Sequence, residues 1–304
     1  MSTQSNAIPE SALASRAGIC REISSARRFY WSVKREVWES RSIYIAPLAV
    51  AAVILLGFLV STIHLPAKIR ATSEITPAVR GAIFAQTYDF AALALMATTL
   101  VVAAFYCLDA LHGERRDRSI LFWKSLPVSD LMTVLSKATI PVLLLPLVTF
   151  LITVALQVSM LLLSAAILLV SGQGLAMLSH LSLGVRWMVL LEHLVIGHGF
   201  YYAPFYGWFL LVSAWARRGA FLWAILPPLA IGVLEKILFN TSHFGGLISN
   251  RFAGGPASSS KAMGTFAMIA DSPGLSSLGL WIGLVLTALF LFAAVQLRRR
   301  QGPV

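Results

Sequence analysis

Long apolar runs alternate with short polar segments along the chain, and each run is filled almost continuously with aliphatic and aromatic residues. A run of about 20 residues is the length that an α-helix needs to cross a hydrocarbon core of about 30 Å. The pattern therefore predicts transmembrane helices rather than the amphipathic helices of a soluble domain. Six spans are predicted, at residues 43–63, 90–108, 138–170, 186–214, 220–239 and 275–297.

The third run is longer than a single crossing needs, and it contains Pro141 and Pro146. Proline interrupts helical hydrogen bonding, so we expect this span to tilt, kink or extend beyond the bilayer on one side. Residues 240–277, between the last two spans, are rich in Gly and Ser and are expected to form an external loop.

The composition leads to the same class. Hydrophobic residues make up 58% of the chain and charged residues 12%, whereas a soluble domain carries about 25% charged residues. The sequence therefore predicts an all-α integral membrane protein. The net charge of +11 does not indicate nucleic-acid binding, because the basic residues lie in short clusters between the apolar runs rather than along one face.

The basic residues also indicate the orientation in the membrane. If the N-terminus is cytoplasmic, 17 of the 24 Lys and Arg residues fall on the cytoplasmic side. Short cytoplasmic loops carry such an excess of positive charge. With six spans the Arg298–Arg300 tail lies on the same side, so both termini are expected in the cytoplasm.

The segment before the first span reads as an amphipathic helix over residues 21–42, preceded by a disordered segment over residues 1–20. Trp31 and Trp38 flank its apolar arc, which suits the headgroup region of an anionic leaflet. A soluble amphipathic helix packed on a partner is the alternative. At 100° per residue the apolar arc holds Ile23, Ala26, Phe29, Tyr30, Val33 and Val37, and the polar arc holds Arg21, Arg28, Ser32, Arg35, Glu36 and Glu39.

The loop at residues 109–130 is the most distinctive part of the chain. It opens with mixed charge at residues 114–118 and continues as a short apolar helix candidate, which Ser119 would cap and Pro127 would end. Its apolar side chains would be costly to expose to water, so a second protein is expected to cover them, and packing against the chain's own bundle is the alternative. Those side chains are Ile120, Phe122, Trp123 and Leu126.

The string E-R-R-D-R-S-I-L-F-W-K-S-L-P-V-S, placed after the second of six spans and with an interfacial helix before the first, resembles the permease subunit of ABC-2 type exporters. The L-W-A-I-L-P-P string at residues 222–228 also fits that family. The resemblance implies a six-helix transmembrane domain over residues 43–304, and it makes the loop a coupling helix that docks on a separately encoded ATPase. By this resemblance the ATPase contact is assigned to Glu114, Arg115, Arg116, Asp117, Ser119, Phe122, Trp123 and Leu126.

The resemblance further implies two permease copies, identical or homologous, over two ATPase copies in the bacterial cytoplasmic membrane. The permease itself would have no cofactor, metal or catalytic residue. Residues 254–262 come nearest to a phosphate-binding loop, but they lack the Gly before the Lys and the Ser or Thr after it. The apolar spans favour a hydrophobic or amphipathic exported substrate.

The fourth span holds a stripe of polar residues: Glu192, His198, Tyr202 and Tyr206, provided that its helix continues through Pro204. Exposing them to lipid would be expensive, so the stripe is expected to face a translocation path or another helix. Both interpretations stay open. His193 falls about 100° from Glu192, and its spacing to His198 does not fit a zinc motif.

Two other classes of function share the hydropathy pattern. An intramembrane enzyme would need clustered carboxylates, a metal motif or an activated nucleophile, and the sequence offers none at a recognisable spacing. A passive channel or sensory scaffold gives no reason for the apolar loop helix. Co-purification with an ATPase separates the channel or scaffold from the exporter.

The topology generates the first prediction. A cysteine placed at position 118 should react with an impermeant reagent only from the cytoplasmic side, and one at position 257 should react from outside in intact cells. Labelling of position 118 from outside, or protection of position 257, would contradict six spans with both termini inside.

Overall fold

The computed structural model describes residues 24–63, 77–117, 128–170, 181–252 and 277–300. Helices account for 91% of these residues, with no strand among them, and five helices are long and apolar enough to cross a membrane. The chain is thus an all-α membrane protein. Its helices are α1 (Ser25–Glu39), α2 (Ser42–Thr62), α3 (Pro77–Ala110), α4 (His112–Arg116), α5 (Asp130–Thr139), α6 (Leu145–Val170), α7 (Leu183–Glu192), α8 (Ala203–Trp215), α9 (Ala220–Phe239), α10 (His243–Phe252) and α11 (Leu278–Arg300), with π-helical segments π1 (Ile140–Leu144) and π2 (His193–Tyr201).

Helix α1 packs along one end of the bundle. Ser24 begins it by accepting a hydrogen bond from the Arg27 amide at 3.4 Å. Val33 and Val37 pack against the core, as the apolar arc predicts, but Glu36 of the polar arc is also buried. The outward face carries Tyr30, Trp31 and Trp38, and Lys34 Nζ lies 4.8 Å from the ring centres of both tryptophans.

The third predicted span is the carboxyl-terminal part of one continuous helical rod, formed by α5, π1 and α6 over residues 130–170. Ser129 caps this rod by accepting a hydrogen bond from the Met132 amide at 3.2 Å. Pro141 lies in π1. Because proline has no N–H and crowds the carbonyl four residues earlier, a turn with one extra residue accommodates it without breaking the rod.

The fourth predicted span does not form one continuous helix, which is why five long helices are found where six were expected. It consists of α7, π2 and α8, and the chain leaves helical hydrogen bonding at Tyr202. Pro204 lies in the first turn of α8, where its missing N–H is tolerated. The expectation that the helix continues through Pro204 was wrong, because proline begins a new helix there.

The core lies where α3, α5, α8 and α11 meet, around Cys107, Val134, Tyr206 and Leu210. Helices α8 and α11 approach closely at Gly207, where an added β-carbon would lie 3.3 Å from Thr287 and Phe290 side-chain atoms. Helix α9 matches its predicted bounds and leaves most of its surface exposed. Helix α10 follows it in the predicted external loop.

Candidate functional site

A buried ionic cluster lies at the end of the bundle that carries α1, and Lys137 of α5 is at its centre. Lys137 Nζ lies 3.0 Å from Glu36 Oε2 of α1 and 3.1 Å from Glu114 Oε1 of α4. Tyr106 of α3 donates its hydroxyl hydrogen to Glu36 Oε2 at 3.1 Å. The two glutamates and the lysine are each at most 5% exposed, so their charges interact in a medium of low polarity.

Two arginines complete the cluster. Arg298, in the last turn of α11, places Nη1 2.5 Å from Glu114 Oε2 and Nε 3.0 Å from Asp130 Oδ1. Arg35 places Nη2 2.6 Å from Glu36 Oε1. The ionic cluster therefore pairs three carboxylates with three cations and is neutral as a whole. Such pairing is the condition under which buried charges are tolerated.

The protonation state of Glu36 follows from this arrangement. Burial by itself raises the pKa of Glu36, but the charges of Lys137 and Arg35 outweigh it, so the pKa lies below its ordinary value. Glu36 is therefore a carboxylate at neutral pH. Its contribution to stability is present above the pKa that it has in the unfolded chain, and it is lost as the pH falls through the lower, folded value.

Helix α4 also holds the end of α8. Arg115 donates from Nη1 to the Ala214 carbonyl and from Nη2 to the Ala216 carbonyl, the latter at 3.3 Å. Ser213 of α8 also binds the start of α4. Its Oγ accepts hydrogen bonds at 3.0 and 2.9 Å from the amides of residue 111, directly before α4, and residue 112, the first of α4. This five-residue helix thus connects the ionic cluster to the fourth span.

The residues expected to contact a partner divide into two groups. Glu114 and Arg115 are 5% exposed and bind groups of this chain. Arg116 and Asp117 are more than 60% exposed and pair with each other at 3.1 Å, and Arg116 also lies 3.9 Å from Asp109. The other four, Ser119, Phe122, Trp123 and Leu126, lie outside the described residues.

A cavity of about 540 Å³ opens beside the ionic cluster. Glu36, Glu114 and Lys137 line it together with Arg41 at the start of α2 and Phe105 in α3. The cavity extends to Asp117, the last described residue before the predicted coupling helix. One side of the cluster is therefore reached from the surface next to that loop.

The polar stripe of the fourth span is rearranged by π2. His198, Tyr202 and Tyr206 are buried, whereas Glu192 is exposed. His193 takes the place of Glu192, with its ring centre 5.8 Å from that of His198. A π turn contains one residue more than an α turn, so residues five apart share a face, and counting at 100° per residue missed this.

The stripe makes its described contacts within the bundle. His198 Nε2 donates to the Met96 carbonyl at 3.2 Å, and the His198 ring lies 5.2 Å from that of Tyr202. His198 Nδ1 and the Tyr206 hydroxyl are buried without a hydrogen-bond partner among the described residues. The two interpretations of the stripe, a path or an interface, remain predictions.

The described part of the chain contains no group of three or more His, Cys, Asp or Glu side chains that could hold a metal ion. Comparisons of the chain with protein-family models, with curated proteins and with solved structures give no match. The ionic cluster is therefore the candidate site because of its own geometry: it joins both ends of the loop at residues 118–127 to α1 and α11.

The ionic cluster generates the second prediction. Lys137→Met leaves Glu36 and Glu114 buried without their shared cation, and an uncompensated buried charge costs about 3–5 kcal/mol. We expect that loss in the free energy of unfolding, measured by reversible denaturation in mixed detergent micelles. Adding Glu36→Gln should recover part of it, because the two positions are coupled.

Arg116→Met is the matched control. It removes an exposed cation from α4 and should leave the unfolding free energy close to that of the unmodified chain. If Lys137→Met unfolds at the same denaturant concentration as Arg116→Met, the cluster does not hold this end of the bundle together.

Proposed function

We propose that this chain is the membrane-spanning permease subunit of an ATP-driven ABC-2 type exporter. The observation that carries the proposal is that both ends of the loop at residues 118–127 are fixed to the rest of the chain by buried charges. Glu114 precedes the loop, and Asp130 and Lys137 follow it. A loop held at both ends passes a displacement to the helices that hold it instead of absorbing it.

The helices that would receive this displacement are known from the contacts. Glu114 connects to α5 through Lys137 and to α11 through Arg298, while Arg115 connects to α8. Motion of the loop would therefore reach the third, fourth and last spans together. Rigid-body movement of packed helices is how ATP-driven closure of a partner would change the packing of the bundle.

The contacts refine the roles within the loop. Glu114 and Arg115 are assigned to positioning, since their charged groups bind this chain. Arg116 and Asp117 are exposed and available to an ATPase subunit, and the apolar anchors expected there are Phe122 and Trp123. ATP hydrolysis belongs to that subunit, present in two copies, and the permease provides the path across the membrane.

The remaining parts of the proposal come from the resemblance and the hydropathy. We place the protein in the bacterial cytoplasmic membrane with six spans, counting α7, π2 and α8 as the fourth, and with both termini in the cytoplasm. A second copy, or a homologue, would complete the path. The substrate class is hydrophobic or amphipathic, because apolar side chains dominate the spans.

The third prediction tests the coupling helix. Truncating a buried aromatic anchor of an interface commonly costs about 2 kcal/mol or more, so Trp123→Ala should weaken ATPase association by about 30-fold or uncouple hydrolysis from export. The variant should still insert and fold. Association is measured by co-purification from membranes, and coupling by substrate-stimulated ATP hydrolysis in nanodiscs.

The matched control is Trp31→Ala, which removes an exposed tryptophan from α1 and should mainly weaken the association of that helix with the membrane surface. A Trp123→Ala protein with full ATPase association and full stimulated hydrolysis would remove the strongest reason for the exporter assignment. Purification without any ATPase would favour a channel or a sensory scaffold.

A further inference from the structure

The outer half of the fourth span ends in an unusual helix. Segment π2 runs for nine residues, whereas most π-helical segments in proteins are a single turn long. Such segments often lie at functional sites. It meets the other π segment, π1 of the third span, at Gly199. A β-carbon at Gly199 would lie 2.6 Å from the Val142 carbonyl oxygen, so the two backbones touch without a side chain between them.

The carboxyl end of π2 is completed by a residue from elsewhere in the chain. The amides of Phe205 and Tyr206 both donate to the Tyr202 carbonyl, because α8 begins again after the break. Arg251 of α10 donates from Nε to the Tyr201 carbonyl at 2.8 Å, and its guanidinium lies 4.5 Å from the Tyr201 ring centre. A buried carbonyl at a helix end needs such a donor.

Arg251 reaches this position through a slot in α11. Its Nη1 donates to the Gly279 carbonyl at 3.2 Å, and a β-carbon at Gly283 would overlap the guanidinium. The other end of α10 is held by Glu235 at the end of α9, whose carboxylate accepts from the His243 and Phe244 amides at 2.6 and 2.8 Å. Helix α10 thus joins α9 to the junction of α8 and α11.

We infer that π2 is a register switch, and that Arg251 holds it in the π form. Without a donor on the Tyr201 carbonyl, the free energy of the segment is lower when the Phe205 amide, which now donates to the Tyr202 carbonyl, donates to the Tyr201 carbonyl as in an α-helix. Pro204 has no N–H and stays at the start of α8. One residue of register rotates a helix by about 100° and moves it by about 1.5 Å. Helix α7 would therefore turn relative to α8.

The contacts of α7 are those that such a rotation would break. Arg186 is hydrogen-bonded to Asp89 of α3, and Trp187 Nε1 donates to Gln157 Oε1 of α6 at 2.8 Å. These bonds oppose the rotation together with Arg251. The position of α10 therefore controls the orientation of α7 through a single guanidinium, whatever molecule the protein transports.

The fourth prediction measures this rotation with spin labels and double electron–electron resonance in nanodiscs. Labels on exposed Met188 of α7 and Leu162 of α6 report the outer half, and labels on exposed Trp215 of α8 and Leu135 of α5 report the inner half. Cys20→Ser removes one native thiol, and buried Cys107 does not label.

Arg251→Leu should give the outer label pair a second distance, while the distance of the inner pair stays the same. A rotation of about 100° moves a side chain that lies about 5 Å from the helix axis by up to about 8 Å, which is the largest expected difference between the two outer distances. Gly283→Ala should act in the same direction by closing the slot. Asn250→Leu and Gly245→Ala on the same helix, the latter where a β-carbon meets open space, are the matched controls and should give the unmodified distances.

An unchanged outer distance in both Arg251→Leu and Gly283→Ala would overturn the inference. So would an equal change in the inner pair, which would indicate general loosening. If Arg251→Leu does not insert, Arg251→Met, which also lacks a donor, and Gly283→Ala are measured in its place, and the same two outcomes decide.

Discussion

Burial of Lys137 requires that its charge be neutralised within the chain, and the two carboxylates that do so come from different helices. Glu36 and Glu114 need further donors in turn, which Tyr106, Arg35 and Arg298 supply. Apolar side chains cannot fix such an arrangement in a membrane, since lipid tails are as apolar as they are. The order of helices at this end is therefore set by the pairing of charges.

The same rule applies along the bundle, where polar links select particular helix pairs. Gln157 of α6 donates to the Tyr88 carbonyl of α3 and accepts from Trp187 of α7. The Tyr88 hydroxyl in turn lies 3.3 Å from Ser164 Oγ of α6. Such bonds contribute about 0.5–2 kcal/mol each in membranes. Segment π2 is different, because at Gly199 two backbones meet without a side-chain link.

Hydropathy was sufficient to predict the helical membrane class, and it placed α9 and the ends of α6 and α2 within one residue. It did not predict the direction of Glu36, because an amphipathic plot assigns every charge to water. Glu36 lies three residues after Val33 and directly before Val37, at the edge of the apolar arc, and a buried cation can draw it inward. Nor could it detect π2, since counting at a fixed angle assumes one helix type.

Helix α8 lies between the ionic cluster and the contact of Arg251 with the end of π2. Its position therefore decides how the two could influence each other. At one end Arg115 and the amides of α4 bind it, so it must follow any movement of the loop that α4 precedes. At the other end its hydrogen bonding starts anew at Tyr202, so a rotation of α8 need not pass into α7. How much of it passes depends on whether the end of π2 is held, and Arg251 binds that end from α10. Movement of α7 in response to the loop is thus conditional on the contact of Arg251 with the end of π2. In a continuous helix the rotation would pass to α7 directly, and no such condition would exist.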